Sequence, residues 1–207
     1  MRDTAMTNIE NQGNVSNQTI INIQNMSGNI GTPHIVMFPQ ITTTGDKTNT
    51  SFAFNTKYYN LIVTSEEKLN GALNDGFYII ETPRALTECM SPETMASFSS
   101  LDDETIAQIK TFPSIFASEN HSYDKTDDAH LAYFGLVTGI AATDNGVKIH
   151  FKTLSTIPQQ RLNEIGLKLA IKGMTPYNDL NRCHWIIKRI NLLEELRVAG
   201  ISVLAPT

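Results

Sequence analysis

The segment from Asn181 to Arg189 holds the densest group of chemically able side chains in the sequence. It places the only tryptophan, Trp185, between Arg182 on one side and Lys188 and Arg189 on the other. An indole beside such cations can stack on a nucleobase or another planar ligand while the cations meet phosphate. The alternative is a core strand in which Trp185 is buried and the terminal cations extend to solvent. Both interpretations fit the sequence.

His184 belongs to the same segment and could titrate or form a hydrogen bond with a ligand. Successive residues of a strand point to opposite faces, so Cys183, Trp185 and Ile187 share one face and His184 lies on the other. The predicted ligand-binding or nucleic-acid-binding residues are Arg182, His184, Trp185, Lys188 and Arg189.

The polar stretch from His121 to His130 is a second candidate, because it contains two histidines and three aspartates. These side chains are hard and borderline ligands that can hold a divalent metal. Their spacing matches no established metal-binding loop, and surface loops are ordinarily polar and solvated. A metal-dependent hydrolase built on this loop is therefore an alternative hypothesis, with the metal ligands left unassigned.

The two cysteines, Cys89 and Cys183, lie far apart and have no paired spacing. They predict neither a disulfide framework nor a zinc ribbon. A nucleophilic cysteine needs a positioned base, and Cys183 points away from its neighbour His184 on a strand. We find no phosphate-binding glycine loop or serine-hydrolase motif, so no catalytic residue and no cofactor are predicted.

The charge balance disfavours a nucleic-acid-binding surface, because the net charge is −5 and the basic residues are scattered. One alternating stretch nevertheless places Lys148, His150 and Lys152 on a common face. The first residues show no basic region followed by an apolar run, so we expect no secretion signal and a reduced, cytoplasmic location. The longest mostly apolar run, 131–142, is too short to cross a membrane.

The first thirty residues differ in composition from the rest. From Asn8 to Ile30, ten of 23 residues are Asn or Gln, and only Glu10 is charged. Such a segment can form amide ladders when copies stack as strands, although a disordered tail or an extra edge strand is the alternative. The residues predicted to carry self-association are Ile20, Ile21, Asn22, Ile23 and Gln24.

Elements that could position these residues alternate along the rest of the chain. Helices are predicted after the capping residues Ser65, Ser91, Ser100 and Asn191. A short helix is also expected after Pro158, and Asp144-Asn145-Gly146 predicts a hairpin turn. Strands are predicted near 34–38, 60–64, 77–80, 131–141, 147–152, 167–171 and 183–188. The stretch 114–118 is short and apolar.

These elements predict an α+β fold with a mostly antiparallel sheet, short helices and a β-prone N-terminal segment. The sheet could curl into a small barrel across residues 112–190. We expect a segment 1–31, a globular domain 32–207, and a sub-boundary near residue 111. Gly135 and Gly139 would mark bends or bulges in the longest strand.

The stretch from Phe112 to Gly200 resembles an uncharacterised module of bacterial conflict and anti-phage proteins, in which a His-Trp-x-x-Lys stretch precedes a Leu-rich helix. The matching positions here are His184, Trp185 and Lys188, and Cys183 stands where a small polar residue is expected. The resemblance implies a bacterial origin and an accessory or sensing role.

The sequence therefore predicts a non-enzymatic interaction protein of a bacterial defence or conflict system. Its expected partners are further copies of itself and another protein, with no membrane partner. A nucleic-acid-binding domain is the first alternative and the metal-dependent hydrolase is the second.

Overall fold

A computed structural model describes residues 53–65, 75–86, 89–173 and 178–204. These ranges form an α+β domain, as the sequence predicted. Its strands are β1 (Tyr59–Thr64), β2 (Asp75–Ile80), β3 (Pro113–Ser118), β4 (Leu131–Thr143), β5 (Gly146–Pro158) and β6 (His184–Lys188). Its helices are α1 (Pro92–Phe98), α2 (Asp103–Ile109), α3 (Gln159–Glu164) and α4 (Leu192–Val198), with 3-10 turns at Thr82–Arg84 and Asp179–Asn181.

The strands form one six-stranded sheet in the order β2-β5-β4-β3-β1-β6. Only β1 and β3 run parallel, and the remaining neighbours are antiparallel. The long hairpin of β4 and β5 turns at the predicted Asp144-Asn145-Gly146, where Thr143 pairs with Gly146.

The sheet curls but stays open. Ile80 pairs with Val147 at one edge, and Ala85 bridges Trp185 at the other edge. A flat sheet would separate the two edge strands by about 24 Å, whereas the chain from Ile80 to Ala85 can reach at most about 18 Å. The sheet is therefore curled, but the small barrel predicted across residues 112–190 is not closed.

Each face of the sheet packs in its own apolar layer. Leu61 and Ile186 belong to the first layer, which α3 and α4 cover through Leu162 and Leu192. Ile62, Phe116 and Trp185 belong to the second layer, which α1 and α2 cover through Phe98 and Ile109. Neighbouring residues of β1 and β6 therefore divide between two separate layers, as strand alternation requires.

Both predicted irregularities of β4 are present. The register between β4 and β5 shifts between Phe134 and Gly135 and again between Val137 and Gly139. A Cβ atom at Gly135 would overlap the backbone carbonyl oxygen of Lys152, so this bulge requires glycine. At Gly139 a Cβ atom would be 3.6 Å from the nearest atom, which is an ordinary contact.

Two of the four predicted helix caps, Ser91 and Asn191, are confirmed. The Ser91 and Asn191 side chains accept hydrogen bonds from the backbone N–H groups of Thr94 and Glu194. The start of α2 differs, because Asp102 caps it and Ser100 donates to the Asp102 carboxylate instead. None of the helices in the described ranges is long and apolar enough to cross a bilayer.

The strand predicted at 167–171 is wrong. Residues 167–171 form turns, because the Ile171 N–H donates to the Gly166 carbonyl and Ala170 has a φ of 53°. Four predictions fall on residues outside the described ranges. They are the body of the helix after Ser65, the strand near 34–38, the boundary at 31/32 and the self-association residues.

Candidate functional site

Trp185 is a core residue. It is fully buried, and its indole N–H donates to Oδ1 of Asn60 over 3.2 Å. Burial on the second apolar layer removes both faces of the ring from solvent. The prediction that Trp185 stacks on a ligand is therefore wrong, and the core-strand alternative describes this side chain.

The cations of the same segment do not form one surface. Arg189 is exposed and Arg182 is half-buried, whereas the Lys188 side chain is only 11% exposed. Lys188 Nζ lies 2.6 Å from Oδ2 of Asp179 and donates to the backbone carbonyl of Cys89 over 3.1 Å. Lys188 is thus committed to an internal ion pair and is not available to meet a phosphate.

His184 lies in a buried cluster that the sequence did not predict. The ligand atoms of Cys89, Asp179 and His184 all lie within 4.8 Å of one another. Among the described residues this is the only group of three or more His, Cys, Asp or Glu side chains that converges in this way. These three residues form the buried cluster.

The fold brings the buried cluster together from three separate segments. His184 opens β6 and pairs with Val63 of β1, and Asp179 begins the 3-10 turn just before β6. Cys89 comes from the segment that runs along the outer edge of β6, where the Leu86 N–H donates to the Trp185 carbonyl. The sheet edge therefore acts as the scaffold that positions all three side chains.

Burial controls the charges in the cluster. Desolvation, together with the neighbouring Arg182, Lys188 and Arg84 cations, lowers the pKa of His184 to about 3. The imidazole is therefore neutral at pH 7. Burial raises the pKa of Asp179, and the Lys188 ammonium opposes that shift.

Several polar atoms of the cluster make no hydrogen bond. Asp179 Oδ1 and both ring nitrogens of His184 are buried and have no hydrogen-bond partner among the described residues. The Asp179 carboxylate is also held by Lys188 through its other oxygen, and it forms a hydrogen bond with the Cys89 side chain. Buried polar groups are normally satisfied, so three such atoms within one cluster are unusual.

The loop 121–130 does not gather its acidic groups. Asp124 pairs with Lys172, outside the loop, and His121 Nδ1 lies 3.3 Å from a carboxylate oxygen of Asp127. The second histidine of the loop, His130, is buried with its Nε2 2.5 Å from Ser118 Oγ. The two histidine rings lie 4.9 Å apart, but no three His or Asp side chains of the loop converge as ligands among the described residues.

A separate surface lies on edge strand β2. Phe77 and Ile79 are 54% and 38% exposed on the face that they share with Lys148 and His150 of β5. Lys148 Nζ lies over the Phe77 ring, 4.1 Å from its centroid. The common face predicted for Lys148, His150 and Lys152 is present, because these residues pair in turn with Ile79, Phe77 and Asp75.

Comparison of the chain with protein-family models, curated proteins and solved structures finds no match. The sequence reasoning found His184 but missed Cys89 and Asp179, because their meeting depends on which segment borders β6. It also missed Phe77, since both faces of β2 carry apolar residues and alternation alone cannot separate core from solvent.

Proposed function

We propose that this chain is a non-enzymatic interaction protein that assembles with copies of itself by strand pairing. Its place as an accessory component of a bacterial defence or conflict system rests on the resemblance of residues 112–200. The observation that carries the assembly proposal is the apolar, exposed edge strand β2.

Edge strand β2 has the properties of a pairing site. Among the described residues no strand pairs with its outer side, while its inner side pairs with β5 along all six residues. Phe77 and Ile79 project to solvent from this edge. An edge that carries exposed apolar side chains offers backbone hydrogen bonds and apolar area to another strand.

The occupant that suits this edge is β2 of a second copy. An antiparallel pairing that sets Phe77 opposite Phe77 would place Asp75 of each copy opposite Ile79 of the other. Lys148 neighbours Ile79 in the sheet, so the acidic end of one strand would meet a basic residue of the other copy. Such a contact is self-complementary about a two-fold axis, as dimers require.

The test is the solution mass of the full chain, measured by light scattering after size exclusion over a range of concentrations. Ile79→Lys is expected to reduce the assembly to single chains, because it places a cation at the paired edge. Leu131→Lys is the matched control, since Leu131 is also 38% exposed but lies on β4 away from the edge. A monomeric wild type, or equal masses for the two variants, would contradict the proposal.

Single-stranded nucleic acid is the second candidate partner, and one observation favours it. The exposed Phe77 ring shares its face with Lys148, His150 and Lys152, an arrangement that suits base stacking beside phosphate contacts. Binding of a labelled oligonucleotide should then weaken with salt and with Lys152→Gln. Binding that is absent, or insensitive to both changes, would rule this candidate out.

A further inference from the structure

We propose that Cys89, Asp179 and His184 bind one zinc ion at the outer edge of β6. The inference goes beyond the assembly function, because it concerns the opposite edge of the sheet and rests on different observations.

The donor set fits zinc. One sulfur, one carboxylate oxygen and one imidazole nitrogen converge within 4.8 Å of one another. Zn²⁺ accepts these three donor types together, with bonds of about 2.0–2.3 Å in a tetrahedral arrangement. Donors in such a site lie about 3.5 Å apart, so a contraction of about 1 Å would complete the three-ligand geometry.

The unsatisfied atoms point to a cation. His184 and Asp179 are each 2% exposed, and their Nδ1, Nε2 and Oδ1 atoms have no hydrogen-bond partner in the described part of the chain. A metal ion would engage Oδ1 and one ring nitrogen at once.

The surrounding charges are compatible with this ion. Binding would release the thiol proton of Cys89 to solvent, so the thiolate and the Asp179 carboxylate would neutralise Zn²⁺. Arg182 and Arg84 face the same region and oppose a cation, which makes both anionic ligands necessary. Lys188 would remain on the second oxygen of Asp179 as an outer partner that orients the ligand.

The fourth coordination position would face outward. Cys89 is half-buried, whereas Asp179 and His184 are enclosed, so the cluster is accessible from the Cys89 side. Three protein ligands leave one position of a tetrahedral ion for water or for a ligand from a partner.

The test uses the full chain with Co²⁺ as a spectroscopic substitute for Zn²⁺. Metal analysis of protein purified without chelators should find one zinc ion per chain. After chelation, Co²⁺ should produce a thiolate-to-cobalt charge-transfer band that Zn²⁺ then removes by displacement. Lys188→Gln should weaken zinc binding by about 10–100-fold, as loss of an outer partner does in other sites.

The two cysteines provide matched variants, because both are half-buried and neither forms a disulfide. Cys89→Ser should abolish the cobalt–thiolate band, and Cys183→Ser should retain it. A wild-type protein without zinc and without the band would overturn the proposal, even if Cys89→Ser failed to fold. A band that survives in Cys89→Ser, or disappears in Cys183→Ser, would overturn it as well.

Discussion

Lys188 Nζ lies 2.6 Å from Oδ2 of Asp179, and the two side chains are only 11% and 2% exposed. The same ammonium group donates to the backbone carbonyl of Cys89. One lysine therefore joins β6, the 3-10 turn before it and the segment along the sheet edge. Because a buried ammonium needs such partners, this contact fixes how the three segments meet.

Removing one member of this ion pair should strongly destabilise the protein. Lys188→Met leaves the Asp179 carboxylate buried without its cation, and we expect a loss of about 3–5 kcal/mol in the free energy of unfolding. Urea unfolding in the presence of a chelator measures this loss without a contribution from metal.

The double variant Lys188→Met/Asp179→Asn is the control for that experiment. It removes both charges, so its loss in the free energy of unfolding should be smaller than the sum of the losses in the two single variants. Additive losses would show that the pair does not couple.

Trp185 should matter for stability and not for binding. Trp185→Phe removes the donor to Asn60 Oδ1 and leaves a small cavity, so we expect a loss of about 2 kcal/mol. The measurement is the urea midpoint, together with oligonucleotide binding, which should not change. Weaker oligonucleotide binding by a folded Trp185→Phe protein would contradict the buried position of the indole.

The two glycines of β4 should respond differently to the same substitution. Gly135→Ala forces a methyl group against the Lys152 carbonyl, and a loss of at least about 2 kcal/mol is expected. Gly139→Ala has room and should change stability by less than about 0.5 kcal/mol. Thermal unfolding of both variants checks this contrast, and equal melting temperatures would show that the bulge at Gly135 can relax.

Mutations should distinguish the contribution of the Asn/Gln-rich segment to assembly from that of edge strand β2. If strand ladders of this segment hold the assembly together, Ile21→Pro or Ile23→Pro should abolish it, because proline removes a ladder donor. A chain that begins at Thr32 should then also be monomeric. Light scattering of these proteins beside Ile79→Lys identifies the segment that pairs, and an unchanged mass for the proline variants would exclude the ladder.

Local signals predicted much of the fold. Ser91 and Asn191 cap their helices, and Asp144-Asn145-Gly146 turns the long hairpin, because each effect depends on a few neighbouring residues. The strand prediction for residues 167–171 was wrong because the alternating apolar residues of this segment resemble those of a strand. In the structure the turns bury Leu169 and Ile171 and leave Leu167 67% exposed.

The candidate site was predicted only in part. The sequence shows that His184 and Lys188 can bind ligands or form ion pairs. Which residues they contact depends on the order of the strands in the sheet and on the segment that borders β6. Asp179 approaches through a tight turn, and Cys89 arrives from a segment distant in sequence that borders β6. Strand alternation gives the face of a residue but not the segment that will lie beside it.

The short connection between Ile80 and Ala85 links the two edges of the curled sheet. The chain after Ile80 runs from the proposed pairing edge at β2 toward the segment that contains Cys89. Strand pairing at β2 and zinc binding at the buried cluster would therefore take place at the two ends of this connection. If strand pairing and zinc binding both displace this connection, the two events are thermodynamically linked, and each changes the affinity of the other by the same factor.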